Sequence, residues 1–151
     1  MSSSSPRRLS REMVARALYQ SEICGDSLAE AWKNLKEKDG LPSDARDYAT
    51  DLCGVLQERR EEIDTLLLPL LQNWTFDRLG VTDRGVMRMA AGELLAMNQT
   101  PARVVLDEAV AIAAKFGGGG SGSFVNGILD QMARQLRPGE LDEVELDRRG
   151  K

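Results

Sequence analysis

Apolar residues recur at intervals of three and four along most of the chain, the spacing that places side chains on one face of an α-helix. Seven stretches show this pattern, and serine, threonine, glycine or proline separates most of them. No stretch of useful length alternates between apolar and polar residues as a half-buried strand does. The pattern predicts an all-α fold of seven helices, which start near Ser10, Ser27, Ser43, Arg60, Thr82, Pro101 and Ser123.

Capping signals support these predicted starts. Ser27 and Glu30 match a capping box, in which each side chain bonds the backbone N–H of the other residue. Ser10 and Ser123 are expected to cap the first and last helices. Pro101 suits a first turn, because the N–H that proline lacks would have no helical partner there.

A break between residues 74 and 80 divides the predicted helices into two groups. We expect one domain over residues 1–138, with an N-terminal half at about 9–73 and a C-terminal half at about 80–137. Residues 139–151 are rich in glutamate and aspartate and are expected to form a disordered acidic tail.

The composition excludes several kinds of site. The 151 residues include no histidine, and the two cysteines, Cys24 and Cys53, lack the spacing of a metal-binding pair. Zinc sites and histidine-based catalytic triads are therefore not expected. No apolar run resembles a signal peptide, and nowhere do about 18 apolar residues run together, as a bilayer span requires. We expect a cytoplasmic protein with no membrane segment, no metal and no cofactor.

Positive charge is concentrated near the N-terminus, although the net charge is -4. Four arginines and one glutamate lie between residues 7 and 16, whereas acidic residues crowd the other end. Arginine opposes the dipole at a helix start, so this placement favours a functional contact with a polyanion over simple solvation. RNA fits the pattern, because guanidinium groups pair with phosphates and stack on bases.

A run of five glycines and two serines occupies residues 117–123, between the sixth and seventh predicted helices. A dinucleotide-binding loop needs a preceding strand, and a P-loop needs a following Gly-Lys-Ser/Thr, so neither is expected. Either the run is a flexible connector, or it leads to a helix start whose free N–H groups at residues 124–126 bind an anion such as phosphate. Phe124 is then either peripheral core or a platform for an unpaired base, and Asn126 either bonds a ligand or is simply solvated.

Several motifs, in order along residues 7–136, resemble the NusB family of bacterial transcription antitermination factors. They are the arginine-rich start followed by ALYQ at residues 17–20, DRGVMR at 83–88, DEAV at 107–110, KFG at 115–117 and FVNGILD at 124–130. FVNGILD combined with the arginine-rich start is the most specific part of the match.

The resemblance implies an all-helical fold of two roughly perpendicular subdomains without enzymatic activity. It implies a heterodimer with NusE, a small-subunit ribosomal protein, that binds the single-stranded boxA element of ribosomal RNA leaders. It also implies a place in an elongation complex with RNA polymerase and other Nus factors, and a possible homodimer that hides the RNA face.

The resemblance further implies which residues carry these contacts. The RNA-binding positions are Arg7, Arg8, Arg11, Tyr19, Gly120, Phe124 and Asn126. Arg88 and Glu93 are expected on the face that meets NusE.

The sequence departs from the family pattern at three places. Leu9 stands where relatives often carry arginine, Gly92 replaces an aromatic residue, and residues 118–123 replace a more polar, often acidic, loop. Two other functions stay open: a protein-interaction module with solvated arginines, and an enzyme. The second is disfavoured, because RNA cytosine methyltransferases with this fold carry their activity in a further cofactor-binding domain.

Overall fold

The computed structural model describes residues 6–38, 40–71, 76–118 and 120–141. It contains the helices α1 (Pro6–Cys24), α2 (Leu28–Lys38), α3 (Ser43–Glu58), α4 (Arg60–Leu67), α5 (Val81–Ala96), α6 (Ala102–Gly117) and α7 (Ser121–Leu136). Short 3₁₀ turns occupy Leu68–Leu71 and Phe76–Arg78, and these described ranges include no strand. The prediction of an all-α fold with seven helices is confirmed.

Helix α5 is the central element of the fold. Every residue from Val86 to Leu94 is buried, so the helix has no solvent-facing side over these turns. It packs against α1, α3, α4, α6 and α7, and a single apolar core extends through both groups of helices. Residues 74 and 75 of the predicted break lie outside the described residues, and the division of the chain into halves stays a prediction.

Gly92 allows α3 to come close to α5. A Cβ atom at this position would lie 2.8 Å from Cδ2 of Leu56, a distance shorter than real carbon contacts. Leu56 is itself buried and has little room to move away. Helix packing therefore accounts for this departure from the family pattern.

One of the two bonds of the predicted capping box is present, and the sixth helix starts one residue later than predicted, at Ala102. The Ser27 hydroxyl accepts the backbone N–H of Glu30 at 3.1 Å. Pro101 directly precedes α6, and its carbonyl accepts the N–H of Val105. The break expected near Arg60 is also present, between the end of α3 and the start of α4.

The predicted start of the first helix is wrong. Helix α1 starts at Pro6, whose fixed φ suits a first turn, so Ser10 lies inside the helix. Ser10 is fully buried and its hydroxyl donates to the carbonyl oxygen of Ala45 in α3 at 2.7 Å. The serine that was expected to cap α1 instead links α1 to α3.

The last helix also starts earlier than predicted, at Ser121 instead of Ser123. Gly118 and Gly120 precede it with φ values of +97° and +87°. Only glycine adopts such values without strain. The chain turns into α7 through these two glycines, and Ser123 does not cap the helix.

The residues that follow α7 fold back onto the corner between α5 and α6. We call residues 137–141 the C-terminal hook. The Arg137 guanidinium donates to the carbonyl oxygens of Leu94 and Thr100 at 2.9 Å and of Met97 at 3.1 Å. A carboxylate oxygen of Glu140 accepts the N–H of Ala102 at 2.6 Å.

The hook corrects the predicted boundary of the acidic tail at residue 139. Leu141 is buried and Glu140 caps the start of α6, so residues 139–141 belong to the folded domain. The acidic composition of this segment predicted a tail, because composition does not reveal contacts with distant parts of the chain. Residues 142–151 lie outside the described residues.

We predict that Arg137→Ala lowers the free energy of unfolding by about 2–4 kcal/mol, because several carbonyls near the end of α5 lose their donor. Arg59→Ala is the control, since Arg59 pairs with Glu62 at the surface and its loss should change stability far less. Urea denaturation followed by circular dichroism measures both. Equal stability of the two variants would contradict the role assigned to the hook.

Candidate nucleic-acid interface

A buried ion pair fixes the N-terminal helix to the centre of the fold. Arg11 of α1 and Glu93 of α5 are 2% and 1% exposed. Arg11 donates through Nε and Nη2 to the two oxygens of Glu93, at 2.7 and 2.8 Å. The Tyr48 hydroxyl of α3 donates to Oε2 of the same carboxylate at 2.5 Å. Both carboxylate oxygens are therefore bonded, which offsets the cost of burying the charge.

Burial and the Glu93 carboxylate together set the protonation of Tyr48 and Arg11. Burial raises the pKa of Tyr48 to about 12, and the negative charge of Glu93 acts in the same direction. Burial lowers the pKa of Arg11, but the hydrogen bonds and charge of Glu93 outweigh it, so the net shift is upward. Tyr48 therefore remains a hydrogen-bond donor and Arg11 remains a cation across the physiological range.

Arg7 and Arg8 lie at the surface beside this cluster. The Arg7 guanidinium carbon lies 3.9 Å from the centre of the Tyr48 ring, a cation–π contact. Arg8 is 42% exposed and donates to both oxygens of Glu108 in α6, at 2.9 and 2.6 Å. The hydrogen bonds from Arg8 lower the pKa of Glu108. These two guanidinium groups are held in place and still accessible.

Arg11 differs from its two neighbours, and its expected role as a phosphate contact needs correction. Its side chain is enclosed, and Glu93 occupies two of its donor groups. A strand of RNA on the surface cannot reach it in this conformation. A signal for burial exists in the sequence, because Arg11 stands three and seven residues before Val14 and Leu18, within the apolar stripe of α1.

A groove opens between α1, the start of α5 and the end of α6. We call it the aromatic groove, because Tyr19 and Phe116 line it together with Val81, Thr82 and Gly85. Its volume is about 320 Å³. Tyr19 is 50% exposed and Phe116 is 43% exposed, so both rings are open to solvent. The apolar spacing of the sixth helix extends to Phe116 and predicts a core position for it, but α6 is in its last turn there and the side chain is exposed.

The glycine run is tied to the start of α5. The Ser121 hydroxyl donates to a carboxylate oxygen of Asp83 at 3.2 Å. A Cβ atom at Gly117 would lie 2.8 Å from the other Asp83 oxygen, so a side chain would disturb this contact. Because α1 contacts the same end of α5 through Leu18 and Gly85, the N-terminal helix and the start of α7 are held by one element.

The earlier start of α7 changes which N–H groups face the glycine run. Phe124 donates its N–H to the carbonyl of Gly120 at 3.2 Å, so the predicted free groups at residues 124–126 belong to the helix ladder. Ser121 donates its N–H to the carbonyl of Gly118 at 3.3 Å, so the open end of the helix lies at Gly122 and Ser123. Gly120 and Asn126 line an open groove here, whereas Phe124 packs partly against the core.

Arg88 and Glu93 do not form a partner-facing surface, which corrects the expectation from the resemblance. Arg88 is 7% exposed and donates to both oxygens of Asp64 in α4, at 2.8 and 3.1 Å. Its guanidinium carbon also lies 4.5 Å from the centre of the Phe76 ring. Both side chains stabilise contacts between helices, because α5 is buried over the turns that carry them.

The described residues contain no helix that is long and apolar enough to cross a bilayer. Within the same part of the chain, no group of three or more cysteine or carboxylate side chains could hold a metal ion.

Solved structures of NusB proteins share this helical arrangement. Thermotoga maritima NusB superposes with a TM-score of 0.82 at 36% identity, over 93% of this chain and 99% of that one. A structure of antitermination factors NusB and NusE in complex with double-stranded RNA matches with a TM-score of 0.77 at 27% identity, over 86% of this chain and 97% of that one.

Sequence comparisons agree with the structural ones. The model of the NusB family matches residues 8–134. The curated NusB protein of Thermotoga maritima is 38% identical over 139 residues, which cover 92% of this chain and 98% of that protein. The NusB protein of Halalkalibacterium halodurans is 35% identical over 132 residues, covering 87% and 96%. The chain belongs to the NusB family.

We predict that removing one member of the buried ion pair destabilises the protein more than removing both charges. Arg11→Met leaves the Glu93 carboxylate buried without its cation and should lower the free energy of unfolding by about 3–5 kcal/mol. The double variant Arg11→Met/Glu93→Gln should be closer to wild type. Urea denaturation measures both, and a double variant less stable than the single one would argue against the account.

Proposed function

We propose that this protein is an RNA-binding subunit for transcription antitermination. With the ribosomal protein NusE it binds boxA-like, single-stranded RNA of ribosomal RNA leaders, in the cytoplasm, as part of an elongation complex with RNA polymerase and other Nus factors. It acts by binding and not by catalysis. Membership of the NusB family and the relative solved with NusE and RNA support this proposal.

The observation that carries the proposal is the pair of surface arginines on α1. Arg7 is stacked on Tyr48, and Arg8 makes two hydrogen bonds to Glu108, so both side chains are positioned before any ligand binds. A held guanidinium loses less entropy when it binds phosphate than a freely moving one does. The Arg8 guanidinium can bind a phosphate in the same bidentate geometry in which it binds the Glu108 carboxylate, because both groups present two oxygens.

We assign the remaining RNA contacts to two regions beside these arginines. Tyr19 offers an exposed ring on the same helix. Gly120 and Asn126 offer backbone and amide groups at the start of α7, with Phe124 on the flank. Arg11 acts as a positioning residue that fixes α1 on α5.

We propose that NusE binds near α4 and α5, with Arg88 as an internal support for that region, whereas Glu93 supports α1 and α3. The Arg88–Asp64 pair sets the distance between the two helices. Leu68, directly after α4, is an exposed apolar residue that a protein partner could cover. The alternative is that a second copy of the chain covers an exposed face in place of NusE. Measuring the oligomeric state with and without NusE distinguishes the two.

A specific observation favours a second candidate, which is binding to duplex RNA. The related NusB–NusE complex contains double-stranded RNA. The exposed rings of Tyr19 and Phe116 favour unpaired RNA instead, because bases can stack on aromatic side chains only when they are free of a duplex. Competition between single-stranded and duplex forms of one sequence separates the two candidates.

We predict that Arg7→Ala weakens binding of a boxA-like RNA and lowers the slope of log affinity against log salt by roughly 0.7, the value for one phosphate contact on a single strand. Lys33→Ala is the control, because Lys33 is an exposed cation on α2, which carries none of the proposed RNA or NusE contacts. The titration uses boxA-like and scrambled RNA, with and without NusE, at several salt concentrations.

An unchanged slope and affinity for Arg7→Ala would contradict the proposed RNA surface. NusE binding by a protein that binds no RNA, alone or with NusE, would favour a pure protein-interaction module.

A further inference from the structure

We propose that residues 142–147, which we call the acidic segment, bind in a groove beside Arg7 and compete there with RNA. The inference rests on the proposed function, because it requires that Arg7 takes part in RNA binding. It gives the groove an occupant from the same chain, and it gives the RNA surface a means of regulation.

The groove lies beside the corner between α5 and α6. Residues 96–101 of that corner line it together with Val104 of α6, Arg7 of α1 and Tyr48 of α3. We call it the corner groove, and its volume is about 770 Å³, which is large enough for several side chains. Val104 is 41% exposed, so the groove offers apolar surface as well as charge.

Arg7 is a cation of the corner groove that has no carboxylate within ion-pair distance in the described part of the chain. Its guanidinium contacts an aromatic ring instead. Arg11 also lines the groove, but its charge is matched by Glu93. The charge of Glu108 is matched by Arg8 in the same way. The charge of Arg7 is therefore available to an acidic ligand.

The C-terminal hook brings the acidic segment to the edge of this groove. Glu140 caps the start of α6, and Leu141 is buried. The segment therefore starts next to Pro101, which lines the corner groove. Six residues of extended chain span about 20 Å, whereas the two turns of α6 that line the groove cover about 10 Å. The segment is long enough to cross the groove and reach Arg7.

The acidic segment has a composition that suits this groove. It reads DEVELD, with four carboxylates and two apolar residues, Val144 and Leu146. A carboxylate can bind the Arg7 guanidinium through two hydrogen bonds, and the apolar side chains can cover Val104. Asp51, an exposed carboxylate on α3, also lines the groove and weakens the attraction. A weak contact suits an occupant that RNA must displace.

Attachment to the same chain favours this segment over a separate protein of similar chemistry. A ligand on a short linker meets its site at an effective concentration in the mM range. A contact that is too weak to form between separate molecules is then sufficient to fill the groove. RNA that also binds Arg8 and the start of α7 gains further contacts and can displace the segment.

The first test removes charge from the acidic segment of the full-length protein. Glu143→Gln/Glu145→Gln is titrated with a boxA-like RNA in the presence of NusE. It should bind RNA about 2- to 10-fold more tightly than wild type, which corresponds to a segment bound in about half to nine-tenths of the molecules. Glu30→Gln/Glu37→Gln is the matched control, because it changes the net charge equally at two exposed positions on α2. The control should match wild type.

A second variant separates binding of the segment from simple repulsion between its charges and RNA. Val144→Ser/Leu146→Ser keeps every charge and removes the apolar side chains. It should also bind RNA more tightly than wild type, because the segment no longer holds the groove. Circular dichroism checks that each variant is folded.

A disulfide locates the segment directly. Val104→Cys/Leu146→Cys is made together with Cys24→Ser, which leaves the buried Cys53 as the only native thiol. Oxidised glutathione should join residues 104 and 146, as peptide mass spectrometry detects. The cross-linked protein should lose RNA affinity until dithiothreitol restores it. Asn34→Cys/Leu146→Cys is the control, because Asn34 is exposed on α2, and it should form no disulfide within one molecule.

Equal RNA affinity of wild type and Glu143→Gln/Glu145→Gln would overturn the inference and leave the proposed function standing. An equal gain from the α2 control, or no gain from Val144→Ser/Leu146→Ser, would attribute the effect to charge repulsion and would also overturn it. A disulfide that forms only between two molecules would overturn it in favour of a contact between copies. RNA binding by neither wild type nor any variant would overturn the proposed function together with the inference.

Discussion

The arrangement of this protein depends on the buried ion pair between Arg11 and Glu93. Opposite charges in a protein interior are costly unless every group finds a partner, and here Tyr48 completes the set. The pair fixes the rotation of α1 about its own axis relative to α5. Because Arg7, Arg8 and Tyr19 are carried by the same helix, the direction in which each of them points follows from that one contact.

The same network reaches the far end of the chain. The Thr100 hydroxyl lies 3.3 Å from the Tyr48 hydroxyl, and the Thr100 carbonyl accepts a hydrogen bond from Arg137 in the C-terminal hook. The hook thus holds the corner between α5 and α6 against which Tyr48 rests, and Tyr48 in turn supports Arg7. Groups at both ends of the chain therefore contribute to one surface.

The sequence predicts the helices well, because their apolar periodicity and capping residues are local. It does not predict which polar residues are buried. Arg11 and Glu93 are 82 residues apart, and nothing local to either indicates the other. The spacing of Arg11 within an apolar stripe was the available signal, but a cluster of arginines suggests a surface more readily. Phe116 shows the opposite case. The apolar spacing of α6 extends to this residue at the end of the helix, where no core remains to bury the side chain.

The most direct test of this account asks whether Arg11 acts through the fold or on RNA itself. The double variant Arg11→Met/Glu93→Gln removes the guanidinium and its buried partner together, and the salt dependence of its RNA affinity is compared with that of wild type. If Arg11 only positions α1, the slope of log affinity against log salt stays that of wild type, even where affinity falls. A slope lower by roughly 0.7 would mean that Arg11 itself neutralises a phosphate and would contradict the account.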